Sequence, residues 1–122
     1  MGYVLIVDDS DVIRTIVKQT LEMHNYKDIL LANDGIEALK LINEYGNQID
    51  MYILDVNMPN MDGLTLIGEI RKRYKFTPII MLTTETEKEK IIKAKNLGAT
   101  GWIVKPFDGD KFIKVVDMYL KN

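Results

Sequence analysis

Cysteine is absent from the sequence, which excludes a disulfide framework and any thiolate metal site. An excess of basic charge is absent too. The 16 lysines and arginines face 18 acidic side chains, for a net charge of −2. That argues against a nucleic-acid domain working by bulk charge. No apolar stretch approaches the roughly 18 residues of a membrane span. The opening "MGYVLIV" has no basic stretch before it and is too short for a signal segment. Met1-Gly2 begins like a myristoylation signal, but Ile6 stands where Ser or Thr is needed. Linkers, repeats and low-complexity segments are missing as well. What remains is 122 residues, 47% of them hydrophobic. That is enough chain for one domain with a buried core, expected over residues 1–122 and in the cytoplasm.

Within it, short apolar runs alternate with longer amphipathic ones. Tyr3–Val7 reads as a buried strand stopped by acids. Ser10–His24 reads as a helix with Ile13, Ile16, Val17, Thr20 and Leu21 at helical spacing, capped by Asp8, Asp9 or Ser10. Asp28–Leu31 is a short second strand. Asp34–Tyr45 is a helix with Ile36, Leu39 and Ile42 on one face, ended by Gly46 in a left-handed cap. Met51–Leu54 is the third strand and ends at Asp55. The turn-rich loop "VNMPNMDG" follows. Leu64–Arg73 is the third helix, with Leu64, Ile67 and Ile70 inward. Its closing "RKRYK" reads as favourable charge at a helix C-terminus. Pro78–Leu82 is a strand ending at Thr83, and Glu85–Leu97 is a charged helix stopped by Gly98. Trp102–Val104 is the fifth strand, ending at Lys105-Pro106. A last helix, capped by Asp108 or Asp110, carries Phe112, Val115, Val116 and Leu120. Five βα units in a row predict a doubly wound α/β fold, a five-stranded parallel sheet flanked by five helices.

In such sheets ligands sit beyond the carboxyl ends of the strands, where the strand order reverses. The strand ends carry Asp8-Asp9, Asp55, Thr83-Thr84 and Lys105-Pro106. Each has an ordinary structural explanation alone: helix caps for the first acids and the threonines, a turn for Asp55 and Asn57, a strand-end lysine. Together they place three acids, a hydroxyl and an ammonium on one edge. Two carboxylates about 4 Å apart repel by roughly 4 kcal/mol at an effective dielectric near 20. A hard divalent cation is the natural compensation. Mg²⁺ takes one or two carboxylates, keeps waters, and leaves positions for phosphate oxygens. Asp55 is then the candidate nucleophile for phosphoryl transfer, with Lys105 and Thr83 meeting the phosphoryl oxygens.

The motifs "VDDS", "YILDVNMPNMDG", "MLTTE" and "WIVKPF" resemble, in this order and over nearly the whole chain, the receiver domain of two-component response regulators. The loop "NMPNMDG" and the single-domain length are similar to the stand-alone chemotaxis branch of that family. The resemblance implies the flavodoxin-like strand order 2-1-3-4-5. It implies that Asp55 accepts a phosphoryl group from a histidine kinase of the chemotaxis type. Mg²⁺ or Mn²⁺ would be held by Asp9, Asp55 and the backbone carbonyl of Asn57, with Asp8 acting mainly through a coordinated water. Lys105 would pair with the phosphate and Thr83 would hydrogen-bond it. Pro106 would follow a cis peptide bond that fixes the lysine's direction. Asn57 and Glu85 would tune hydrolysis of the acyl phosphate, as a pair of the fast-turnover type. The output face would span the fourth helix, fifth strand and fifth helix, with Lys88, Lys95 and Trp102 its candidate residues. Either Ile91 or Ile92 would face outward there.

Trp102 departs from the family, which places Tyr or Phe at that position. The family's aromatic swings inward as the threonine moves toward phosphate. A Trp is bulkier and lacks the hydroxyl, so a packing role stands beside the switch. His24 reads as a surface helix residue rather than a phosphotransfer histidine. The methionines read as core filler and loop residues, with Met58 and Met61 at the rim of the site. Asp11 reads as a helix-start charge outside it.

The implied function is a phosphorylation-controlled switch. Its partners would be a histidine kinase, the flagellar motor switch protein and, in addition, a dedicated phosphatase, with no nucleic acid, no membrane and a monomeric state. It would be no enzyme in its own right beyond autophosphorylation and autodephosphorylation. Three other functions share features with it. A phosphorelay intermediate would pass the group to another histidine. A Mg²⁺-dependent aspartyl phosphatase would want its nucleophile on the first strand and a cap domain. An FMN carrier would need a Ser/Thr/Gly phosphate loop where "DDSDV" stands.

Overall fold

Strands β1 (Tyr3–Val7), β2 (Ile29–Ala32), β3 (Ile49–Asp55), β4 (Ile79–Thr83) and β5 (Gly101–Val104) alternate with five helices. These are α1 (Asp11–Met23), α2 (Gly35–Tyr45), α3 (Gly63–Arg73), α4 (Lys88–Leu97) and α5 (Gly109–Leu120). The structure is a computed structural model and describes residues 2–58, 60–84 and 88–120. All strand pairs are parallel, in the order β2-β1-β3-β4-β5. The chain therefore steps outward from β1 to β2, returns to β3 on the other side, and continues through β4 to β5. The reversal between β1 and β3 creates a crevice at their carboxyl ends.

Side-chain alternation along each strand builds two cores. Leu5 and Val7, Tyr52 and Leu54, and Ile79 and Met81 pack with Ala38, Ile42, Leu66, Ile67, Ile70 and Ala94, which come from α2, α3 and α4. Val4 and Ile6, Met51 and Ile53, and Ile80 and Leu82 pack with Val17, Leu21, Phe112, Ile113 and Val116 from α1 and α5. The three middle strands are thus apolar on both faces, which is why they read as continuous runs rather than alternating ones. Burying each such side chain contributes about 1.5–3 kcal/mol. That anchors the ends of β1 and β3 firmly enough to carry buried acids.

The caps follow from short polar side chains. Ser10 is the N-cap of α1, its hydroxyl accepting from the Ile13 amide at 3.2 Å. Asp34 caps α2 through the Glu37 amide, and Asp62 caps α3 through the Thr65 amide, each at 2.8 Å. For α5 the acid is Asp108, which accepts from the Asp110 amide at 2.8 Å. Gly63 starts α3 hard against β3, since a Cβ there would lie 2.3 Å from the Asp55 carbonyl oxygen. Only glycine permits that approach.

Several boundaries differ from the sequence pattern. β3 begins at Ile49 rather than Met51, because Ile49 pairs with Tyr3 and is buried despite the polar Asp50 beside it. β2 is shifted by one residue to end at Ala32, which pairs with Val7. The described part of α4 begins at Lys88, and residues 85–87 lie outside the described residues. Ile36 does not share the buried face with Ile42. It is exposed, and Gly35, Ala38 and Ile42 make the contact instead, because residues three apart drift around a helix by about 60° per step. Ile16 is likewise exposed beside buried Val17. Gly46 has φ 54° and ψ −126°, so it takes a positive φ without the left-handed helical ψ of the expected cap.

Candidate functional site

The acids at the ends of β1 and β3 converge. Asp8, Asp9 and Asp55 offer carboxylate oxygens within 4.8 Å of one another. Asp8 is fully buried, Asp55 nearly so, and Asp9 is exposed at the rim. β1 and β3 are neighbours, with Val7 opposite Leu54, so the next residues, Asp8 and Asp55, emerge side by side. Lys105, just past β5, reaches back across the sheet edge. Its Nζ lies 3.1 Å from Asp8 Oδ2 and 3.2 Å from Asp55 Oδ1. One ammonium is therefore shared by two carboxylates.

Backbone groups complete the pocket floor. Asp8 Oδ1 accepts from the Ser10 amide at 2.9 Å, and Asp55 Oδ1 accepts from the Asn57 amide at 3.3 Å. Burial pushes the Asp55 carboxyl up to about 6, and the Asp8 carboxylate adds to the rise, while Lys105 and the Asn57 amide oppose it. Burial works against the Lys105 ammonium, but Asp55 and Asp8 outweigh it and hold the lysine's pKa above its usual value. The Lys105–Pro106 peptide is cis.

Thr83 ends β4, the strand next to β3, one position beyond Leu82, which pairs with Asp55. It is fully buried, and its Oγ1 has no hydrogen-bond partner among the described residues. An unsatisfied buried hydroxyl costs about 1–3 kcal/mol, so this one is suited to donate to a group that enters the site. The pocket offers oxygen donors and more negative than positive charge, which fits Mg²⁺ or Mn²⁺. Asp8, Asp9 and Asp55 together are the carboxylates close enough to hold such an ion.

Other expected residues stand elsewhere. Trp102 and Val104 of β5 line an open groove of about 560 Å³ with Lys88, Ile91, Ile92 and Lys95 of α4. The Lys95 ammonium sits 4.3 Å from the centre of the Trp102 ring, and the indole is 41% exposed. Ile92 is the exposed isoleucine of the pair, at 60%. Glu85 lies outside the described residues. His24 Nδ1 is 2.9 Å from the Thr20 carbonyl oxygen, at the C-terminal end of α1, whereas Asp8 and Asp9 precede its N-terminus. Met58 and Met61 are half-buried against the α2–α3 core. Asp11 pairs with Arg14 and is exposed.

Two residues escaped the sequence pattern. Arg14 donates through Nη1 to the Asp8 carbonyl oxygen and through Nη2 to Asp11, clamping the turn between β1 and α1. The Asp11–Arg14 spacing, three apart at a helix start, was a usable signal. Lys90 of α4 donates to Asn57 Oδ1. No local signal announces that contact, because the partners are 33 residues apart.

The fold and site define a class: doubly wound α/β domains with an acid pocket and a facing lysine at the carboxyl edge of the sheet. The family model for the response regulator receiver domain matches residues 4–117, and the chain belongs to that family. A "Chemotaxis protein CheY homolog" of Campylobacter jejuni is 43% identical over 105 residues, covering 84% of this chain and 80% of the relative. "Chemotaxis protein CheY1" of Helicobacter pylori is also 43% identical over 105 residues, covering 84% of each. Among solved structures, the chemotaxis protein CheY4 of Vibrio cholerae superimposes with a TM-score of 0.88 at 45% identity, covering 98% of this chain and 99% of that one. The chain is thus a receiver domain similar to chemotaxis response regulators of the CheY type, a two-component signalling family.

Proposed function

We propose that this chain works as a single receiver domain that accepts a phosphoryl group on Asp55 from a histidine kinase. The observation that carries this reading is the one ammonium, Lys105, shared by Asp8 and Asp55 in a cluster of three acids. Asp9, Asp55 and the Asn57 backbone carbonyl would hold Mg²⁺ or Mn²⁺, with Asp8 acting through a water. The bound ion supplies positive charge that offsets the carboxylates and draws in phosphoryl oxygens.

The chain's own groups do the rest. An Asp55 carboxylate oxygen attacks phosphorus, the phosphorus–nitrogen bond to the donor imidazole breaks, and its electron pair returns to the imidazole. Lys105 follows the charge from the carboxylate to the phosphoryl oxygens. The Thr83 hydroxyl donates to one of them and gains a partner that it lacks among the described residues. Thr83 then links the site to Trp102, Lys88 and Lys95 on the α4–β5–α5 face, where a partner reads the state. Asn57 and Glu85 set the lifetime of the acyl phosphate.

The kinship to chemotaxis proteins supports a chemotaxis kinase as donor, the flagellar motor switch as reader and a dedicated phosphatase as a further partner. No helix among the described residues is long and apolar enough to cross a membrane. The proposed carrier is monomeric and cytoplasmic, with neither membrane nor nucleic-acid partners. Intact mass with acetyl phosphate and Mg²⁺ tests the acceptor chemistry. One phosphoryl mass is expected on the wild type and none on Asp55→Asn. Stoichiometric labelling of the variant rules out Asp55.

A further inference from the structure

The contact between Lys90 and Asn57 has a chemical consequence for the site beside it. Lys90 stands in the first turn of α4 and is half-buried. Its ammonium donates to the Asn57 side-chain oxygen. The backbone amide of the same asparagine donates to Asp55 Oδ1 at 3.3 Å. A short chain of hydrogen bonds therefore runs from α4 to the Asp55 carboxylate.

Lysine has donors and no acceptor. The contact thus fixes which way the Asn57 amide lies: its oxygen faces α4, and its nitrogen is turned away from Lys90. This matters for the fate of a phosphoryl group on Asp55. In hydrolysis the water oxygen forms a bond to phosphorus. The bond from phosphorus to the Asp55 oxygen breaks, its electron pair staying on the carboxylate, and the water's protons leave with the phosphate and to solvent. A neighbouring acceptor that takes a hydrogen bond from the water aims its lone pair at phosphorus. Asn57 is two residues from the acceptor aspartate, and Lys90 takes one of the two lone pairs of its side-chain oxygen and draws that oxygen toward α4.

We infer that Lys90 is a positioning residue that lengthens the life of the acyl phosphate by holding the Asn57 carbonyl oxygen away from the attacking water. This rests on Asp55 being the phosphoacceptor. It reverses the fast turnover that Asn57 and Glu85 suggest as a pair. It also lets the first turn of α4, on the side of the Trp102 groove, set the rate at which the signal decays.

The test is a decay measurement on wild type, Lys90→Met, Lys90→Arg, Asn57→Ala and the double variant Asn57→Ala/Lys90→Met. Each protein is loaded with acetyl phosphate and Mg²⁺, freed of donor by desalting, and followed by intact mass. Lys90→Met should lose its phosphoryl group about fivefold faster, the rate equivalent of one net hydrogen bond. Lys90→Arg, which keeps a donor, should restore the wild-type lifetime. In the Asn57→Ala background Lys90→Met should change nothing. An unchanged or longer lifetime in Lys90→Met overturns the inference, and so does equal acceleration without Asn57. A wild type that never gains the mass overturns the phosphoacceptor reading itself, whereas a loaded protein whose lifetime ignores Lys90 overturns this inference alone.

Discussion

Replacing Asp55 by Asn should stabilise the metal-free protein, and the size of the gain follows from the pocket. Asp55 is 6% exposed, and burial with the nearby Asp8 raises its pKa to about 6 despite Lys105. In the unfolded chain an aspartate titrates near 4. The folded protein therefore binds this proton more tightly than the unfolded chain does. The favourable contribution is complete below the unfolded pKa and is lost as pH rises through about 6. At pH 7.5 the charged carboxylate costs about 3 kcal/mol relative to a neutral group of the same shape. At pH 5 the folded carboxyl is mostly protonated, and about half of that cost remains. Asn keeps the shape and an oxygen acceptor, and Lys105 keeps Asp8 at 3.1 Å, so little is lost in exchange.

The assay is urea unfolding of wild type and Asp55→Asn in EDTA at both pH values. The variant should be more stable by about 2–3 kcal/mol at pH 7.5 and by roughly half as much at pH 5. Adding Mg²⁺ should narrow the gap at pH 7.5 by stabilising the wild type more. A variant that is no more stable at pH 7.5, or whose advantage does not shrink at pH 5, would refute the electrostatic account of the pocket.

Mg²⁺ at ten times its dissociation constant should stabilise the wild type by about 1.4 kcal/mol, a rise of several degrees in Tm, and Asp9→Ala should abolish it; an unshifted wild-type melt refutes the metal site. Lys105→Met removes the cation between Asp8 and Asp55 and should destabilise the protein by about 1–3 kcal/mol at pH 7.5, less at pH 5. Equal loss at both pH values in urea unfolding would mean that the lost stability is packing rather than charge. Lys95→Ala uncovers the Trp102 ring and should increase acrylamide quenching of this sole tryptophan, and unchanged quenching would show that the lysine does not sit on the ring in solution.

The sheet was legible because its inner strands are apolar on both faces and each runs into a polar residue, Asp8, Asp55 or Thr83. Strand order was not in that pattern, since periodicity says which residues are buried and not which strands are neighbours. It entered through the family resemblance, and the register of Val7 with Ala32 and Leu54 bears it out. The errors in helix faces have one cause. Ile36, Leu39 and Ile42 are spaced by three, and that spacing walks around the helix. The small Gly35 and Ala38 let α2 pack closely, yet a search for large apolar residues passes over them.

The site shows a sharper division between what local sequence carries and what it cannot. Asp8, Asp55, Thr83 and Lys105 are visible because strand ends are visible, and topology sends all strand ends of a parallel sheet to one edge. Their protonation and partners depend on distances across the sheet. Asp8 and Asp55 both lean on Lys105, while Thr83 has no hydrogen-bond partner among the described residues. Opposite needs are therefore met by one incoming group. A phosphoryl dianion would compete with Asp8 for the Lys105 ammonium and would satisfy the Thr83 hydroxyl. Its negative charge cannot enter a pocket of three acids without a cation to balance it. On the proposed phosphoacceptor reading, metal binding and phosphorylation should therefore be thermodynamically coupled: whatever removes the metal should also empty the site of phosphate analogues. A beryllofluoride complex that forms equally well in EDTA would break the coupling.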